Sequence, residues 1–381
     1  MDFSFTDEQS MLRDTVASYL ADNYSFDQRR AALKAEPGWR PDVWKAFADE
    51  LGILGAAFSE EQGGLGGGYT ENMVVMEELG KSLVVEPYLQ TVVIGGGFLK
   101  HGKPAGADEL IGKIIAGEAI IAFAYAEPQG RYNWADLKTS AKKDGSGYVL
   151  NGHKAVVIGA PYATHFIVTA RTGGGQREAE GVSVFIVEKS AKGVTTRDYP
   201  TVDGFRASEV YFENVSLGAD ALVGPEGQSL PLVEQVIDEA VGATCAEACG
   251  VLRRLHEGTL EYTKQRKQFG QPISSFQVLQ HRMVDMFIQL EQSVSMTYMA
   301  TIKLEDPAEE RSKAVAAAKV QLGKACKFVG QNAIQLHGGM GMTDEMAIGH
   351  YFKRATMIEG AFGSTDHYLA RYEALSLGKV A

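Results

Sequence analysis

Arg266 and Gln277 frame the stretch of this chain best suited to hold a ligand. From Glu261 to Met286 the text runs EYTKQRKQFGQPISSFQVLQHRMVDM. Gly270 and Pro272 break it, because neither residue continues a helix comfortably. Beyond the break, Leu279, Met283, Met286, Phe287 and Leu290 recur at helical spacing. An arginine and a glutamine beside such a break suit an anionic group, since guanidinium is a fixed cation whose forked donors match a pyrophosphate. A second stretch, QLHGGMG from Gln335 to Gly341, joins an amide side chain to glycines, and without a Cβ the backbone at Gly338 and Gly339 lets a ligand approach closely. Each stretch also has a plainer reading, as a charged surface turn and as a simple helix end.

The elements that would position these residues fall into three blocks. Residues 1–120 read as an α-helical domain. Met11, Val16, Tyr19 and Leu20 share one face of a first helix, and Val74, Val75, Met76 and Leu79 belong to a later one that Gly80 caps. Residues 121–225 change character: IIAFAYAEP, GYVLNGHKAVVIG, THFIVTART, GVSVFIVEK and ASEVYFENV are short, β-rich and separated by Gly, Asp and Asn, the pattern of a small β-domain. Residues 226–381 return to Ala-rich and Leu/Met-rich helices. Helices, then strands, then helices is not the alternation of a Rossmann fold, and no GxGxxG follows a strand. The glycine loop from Gly63 to Gly68 lacks both a preceding β-branched strand and a Gly-Lys-Ser/Thr ending, so it reads as a plain loop. A bound dinucleotide therefore needs another architecture.

Composition narrows the partners. The 381 residues carry a net charge of −11, which argues against nucleic acid as a general partner. Hydrophobic residues make up 45%, enough for a sizeable core, yet no apolar run approaches the length of a membrane span. The acidic opening MDFSFTDEQ lacks the basic and apolar regions of a signal peptide. Cys245, Cys249 and Cys326 complete no metal ligand set and read as buried thiols in a reducing cytoplasm.

Taken together, TKQRKQFGQPISSFQ and QLHGGMG resemble the signature of the acyl-CoA dehydrogenase family of flavoproteins. The resemblance extends to FSFTDEQSMLRDTV, to EEQGGLGGGYTENMVVMEELG at 60–80 and to GVSVFIVEKSAKGV at 181–194, so it spans the chain. It implies an N-terminal helical domain, a central β-barrel and a C-terminal four-helix bundle through which subunits form a tetramer. It also implies FAD, an acyl-CoA substrate and an electron-transferring flavoprotein as acceptor. Arg266, Phe269, Gln277, Gln335, Gly338 and Gly339 match residues that reach the FAD of a neighbouring subunit. Tyr125, Ala126, Val156 and Ser364 match positions that serve the subunit's own FAD.

The implied reaction is α,β-dehydrogenation: a carboxylate takes the α-proton while the flavin accepts hydride from the β-carbon. Here the sequence departs from the family. Counted from His337, the catalytic Glu of a Tyr-Glu-Gly-Thr stretch falls on Phe362, in Ala361-Phe362-Gly363-Ser364. Phenylalanine accepts no proton, although its backbone N–H can still polarise a thioester carbonyl. The alternative family position, on an earlier helix, is Ala240, followed by Val241 in place of Arg. Glu247, two turns on from Ala240, and Glu359, three residues before Phe362, are the substitutes at hand, each with the plainer reading of a structurally paired carboxylate. In the β-domain Glu127-Pro128 is kept, but the next Gly-Ser-Asp reads Arg131-Tyr132-Asn133, the flavin-covering Trp is Val156, and a nearby Thr is Ile158.

Residues facing a neighbour's flavin are thus kept and those serving the chain's own flavin and base are altered. This resembles the small subunits of two-component acyl-CoA dehydrogenases of the pimeloyl-CoA or steroid side-chain type, which pair with a larger homologous subunit as α2β2 tetramers holding fewer flavins than subunits. Two further readings stay open: a homomeric enzyme with a relocated carboxylate, and a non-catalytic acyl-CoA-binding or scaffold protein.

Overall fold

The computed structural model describes residues 5–377. Helices α1 (Asp7–Asn23), α2 (Phe26–Lys34), α3 (Pro41–Asp49) and α4 (Tyr69–Ser82) precede a π-helical turn (Leu89–Gly95), α5 (Gly96–Gly102) and α6 (Ala107–Ile115). Eight strands follow: β1 (Ile121–Ala124), β2 (Ser140–Asp144), β3 (Gly147–Ile158), β4 (His165–Arg171), β5 (Val182–Glu188), β6 (Val194–Pro200), β7 (Arg206–Leu217) and β8 (Leu222–Val223). The rest is helical, α7 (Leu230–Gln265), α8 (Gln277–Lys303), α9 (Ala308–His337), α10 (Ala347–Gly360) and α11 (Thr365–Ser376), with a two-stranded ribbon of β9 (Lys267–Gln268) and β10 (Gln271–Pro272) between α7 and α8. No helix among the described residues is long and apolar enough to cross a membrane.

The chain forms two compact units. One comprises Met1–Glu36, Tyr69–Val84 and Val241–Ala381; the other comprises Pro37–Gly68 and Val85–Ala240. In the second unit the strands form one sheet in the order β6-β7-β3-β2-β4-β5-β8, with β1 parallel to β4. Leu150, Phe166, Val168, Phe185, Val210 and Phe212 build its core. The closed barrel expected from the sequence is not seen: β6 and β8, at the ends of this order, do not pair with each other among the described residues. β8 is only two residues long, too short to carry a closing ladder, and β6 leaves alternate residues exposed. The sequence reading missed β2, β6 and β8, whose polar or very short texts (SAKKD, VTTRDYP, LV) lack a hydrophobic alternation.

The first unit is built from helices whose ends follow local chemistry. α1 opens on a capping box, with the Thr6 hydroxyl accepting from Gln9 N–H and the Gln9 side chain accepting from Thr6 N–H. Val16 and Leu20 are buried, but Met11 is 68% exposed and does not share their face. Gly80 does not cap α4, which continues to Ser82; Leu83, at φ 53, is the left-handed residue that ends it. Gly80 has a different task. A Cβ there would lie 2.2 Å from the Glu247 carbonyl oxygen, and one at Gly250 would lie 2.1 Å from that of Glu77, so the two glycines let α4 and α7 meet backbone to backbone. The expected buried thiols are found: Cys245, Cys249 and Cys326 are all buried, and burial pushes Cys245 and Cys326 up to about 12.

Candidate functional site

Tyr125, Ala126 and Val156 come together in the sheet-bearing unit. Ala155 N–H donates to the Ala126 carbonyl at 2.8 Å, and Lys154, fully buried, donates to the Tyr125 carbonyl at 3.2 Å. The same ammonium donates to Glu127 Oε1 at 2.8 Å and Thr169 Oγ1 at 3.1 Å. Glu127 also accepts from Lys138 N–H, Thr139 N–H and Gln129 Nε2. Burial raises the Glu127 carboxyl, but Lys154 and these donors outweigh it and hold the group at about 2. The β3–β7 register slips between Lys154 and Val157, and Val156, inside that slip, takes φ 52. A β-branched residue there is an outlier, and the bulge turns its side chain outward, 50% exposed. Arg131 also takes a positive φ, 46. The lysine went unnoticed in the sequence; its one signal is a charge inside the β-rich text HKAVVIG.

A second constellation lies in the helical unit. Tyr262, near the end of α7, stacks on His337, the last residue of α9, at 4.2 Å between ring centroids, and its hydroxyl donates to the His337 carbonyl at 3.3 Å. This contact brings the segment after Arg266 and the turn at Gly338 to one end of the unit. The ribbon closes with Ile273 N–H donating to the Arg266 carbonyl at 2.8 Å. Phe269 stands at its tip, 91% exposed at φ 53, edge-on to Phe276. Gly338 adopts φ 59 and ψ −141, a conformation reserved for glycine, and a Cβ at Gly338 or Gly339 would meet nothing within 4 Å. Arg266, Gln277 and Gln335 are exposed, and their side chains make no hydrogen bond or ion pair among the described residues. A cationic fork, two amides and an open glycine backbone at one end of the unit suit a phosphate-bearing ligand.

The turn at Phe362, between α10 and α11, is a third element. Phe362 holds φ 58 and is half-buried; Gly363, at φ 144, packs so closely that a Cβ would lie 2.6 Å from His367 and Tyr368. Ser364 caps α11 by accepting from His367 N–H. Glu359 is committed to the same turn, accepting from Thr365 N–H at 2.9 Å and Thr365 Oγ1 at 2.8 Å. Lys319 of α9, fully buried, donates to the Ile358 carbonyl and pins the end of α10. Glu247 is buried, and Arg354 clamps both its oxygens, at 2.6 Å and 2.7 Å. Sequence reasoning missed Lys319 and Arg354: their types are visible, but not the partners that α9 and α10 bring to them.

Three family descriptions match the chain in succession: acyl-CoA dehydrogenase, N-terminal domain, over residues 6–118, the middle domain over 122–215, and the C-terminal domain over 230–371. The chain belongs to the acyl-CoA dehydrogenase family. It is 30% identical to the probable acyl-CoA dehydrogenase YngJ of Bacillus subtilis, over 96% of this chain and 97% of that protein. Among solved structures it is similar to the ChsE4-ChsE5 complex from Mycobacterium tuberculosis (TM-score 0.89, 27% identity, 100% of both chains) and to the FAD complex of PigA (TM-score 0.90, 26% identity, 100% of both chains). As an acyl-CoA dehydrogenase the chain is a flavoprotein oxidoreductase acting on the CH–CH group of acyl-CoA, with FAD as cofactor. The open cationic end at Arg266 fits such a cofactor.

Proposed function

We propose that this chain is one subunit of a heteromeric FAD-dependent acyl-CoA dehydrogenase and completes the FAD site of a larger homologous partner in an α2β2 tetramer. One observation carries the reading: neither family base position holds an acid, and Glu247 and Glu359, the two carboxylates read as substitutes, are both engaged. Phe362 stands in the acid's turn, both oxygens of Glu247 are held by Arg354, and Glu359 is bound to Thr365. Freeing Glu247 for a substrate would break both of its contacts with the part-buried Arg354 guanidinium. The likeness to structures of two-component assemblies, the ChsE4-ChsE5 complex and the Tcur3481-Tcur3483 steroid enzyme, supports the reading.

In this reading the partner supplies the base. When bound, FAD supplies the hydride acceptor for the β-carbon. Arg266, with Gln277 and Gln335, holds the pyrophosphate side of the partner's cofactor. Phe269 covers it, and the backbone at Gly338 and Gly339 lies against it. Tyr125, Ala126 and Val156 are the positions of the sheet-bearing unit that would serve the chain's own flavin, without the aromatic cover, and Ser364 is such a position of the helical unit. The electron acceptor is an electron-transferring flavoprotein and the setting is the cytoplasm.

The test is to purify the chain alone and together with a co-expressed homologue that carries the missing Glu. Flavin per chain and turnover of acyl-CoA with an artificial electron acceptor are then measured. The lone chain should hold little flavin and turn over nothing, while the pair should be active with fewer flavins than chains. A yellow, active lone chain would defeat the proposal.

A further inference from the structure

A cavity of about 510 Å³ opens in the helical unit between α1, α2, the end of α4, α7 and the start of α10. None of its lining residues belongs to the three constellations above. Its volume falls within the range of small-molecule sites. The walls are small where they are apolar: Ala17, Ala21 and Ala347 leave the space open, and Leu20, Phe26 and Leu83 face it. Close by, α4 and α7 touch backbone to backbone at Gly80 and Gly250, so loose packing is not general here.

Two features mark the cavity as more than a packing defect. The first is Leu83. Its φ of 53 places a non-glycine residue in the left-handed region, while its side chain is buried against the cavity. Glycine would relieve the strain but remove the wall. The conformation is held by Arg29, whose Nε donates to the Leu83 carbonyl at 2.6 Å. Strain held in place this way is found at ligand clamps.

The second is the charge distribution. Lys81, Arg253 and Arg254 line the cavity with Glu78 and Glu257, three cations against two carboxylates. Lys81 is taken by Glu78 at 2.6 Å, and Arg253 lies 3.4 Å from Glu77, which stands outside the lining. Burial pushes the Glu78 carboxyl up, against the pull of Lys81. Arg254 differs: its nearest carboxylate, Glu257, is 3.7 Å away, beyond hydrogen-bond reach. It also donates to the Tyr351 hydroxyl, whose own proton is committed to the Lys81 carbonyl at 2.5 Å. With one donor on Tyr351 and none within hydrogen-bond reach of a carboxylate, the remaining N–H groups of the Arg254 fork can take a carboxylate in two-point fashion.

We propose that this cavity binds a small organic acid, with its carboxylate on Arg254 beside Arg253 and its apolar body against Leu20, Phe26 and Leu83. The site is separate from the cofactor residues and does not depend on whether the enzyme is heteromeric.

The full chain, with its co-purified partner where one is present, would be titrated calorimetrically with octanoate and, separately, with inorganic phosphate. Octanoate should bind one per chain, unaffected by saturating acyl-CoA, while phosphate should bind far more weakly. Arg254→Gln should raise the octanoate Kd about tenfold, the loss of one charge-assisted contact. Ala21→Trp, at an exposed helix position lining the cavity, should abolish binding without lowering Tm. The proposal is overturned by an absence of saturable octanoate binding or by binding unchanged in both variants. Displacement of octanoate by acyl-CoA, or phosphate binding as tight as octanoate, would overturn it as well.

Discussion

The ledge at Tyr125–Glu127 and Lys154–Val156 and the edge at Arg266–Gln277 and Gln335–Gly339 are opposites in construction. At the ledge, a fully buried ammonium meets a carboxylate and two further acceptors, and the carboxylate takes three more donors. At the edge, an arginine and two glutamines stand exposed with no side-chain partner among the described residues. Buried charges must be satisfied by the chain itself, since the desolvation of an unpaired ion exceeds what a small domain tolerates. Exposed ones are satisfied by water until something else arrives. The ledge is thus organised by folding, while the edge is organised by what it meets.

The contrast can be broken most sharply at Lys154. Lys154→Met leaves Glu127 buried beside a thioether and should lower stability by about 3 kcal/mol, read from urea midpoints. Glu127→Gln should cost less, because Lys154 retains Tyr125 O and Thr169 Oγ1 as acceptors. Its signature is in pH. A carboxyl held at about 2 in the fold, against 4.5 unfolded, adds stability that is fully present above 4.5 and is lost as pH falls through about 2. The gap in urea midpoint between wild type and Glu127→Gln should therefore shrink as pH falls across that window. A gap that does not change with pH would mean that Glu127 acts by shape alone. The smallest stability change belongs to the edge. Arg266→Ala should alter unfolding by no more than about 0.5 kcal/mol. In the assembled enzyme it should lower flavin affinity at least about tenfold, measured by fluorescence of released FAD. A stability loss at Arg266 as large as that at Lys154 would erase the distinction.

Much of this was legible from residue order. The helix–strand–helix blocks follow from periodicity, and the kept and missing family residues follow from their spacing to Arg266 and His337. The helix break at Gly270 and Pro272 is realised as a ribbon, because its local chemistry leaves little choice. Gly80 shows where such reading stops: a glycine near a helix end looks like a cap, yet its reason is the Glu247 carbonyl 167 residues away. Met11, five and nine residues from Val16 and Leu20, stands on the opposite side of a 3.6-residue helix, and its side chain faces solvent.

By itself the sequence determined the family and singled out Phe362 and the Arg266 edge, since these depend on residue type and spacing along one strand of text. Only the tertiary structure decided the fate of the remaining acids. Glu247 is clamped by Arg354, 107 positions on, and Glu359 is tied into the turn that Lys319 pins from another helix. A carboxylate's chemistry is set by the charges and donors around it, and those come from whichever elements pack against it.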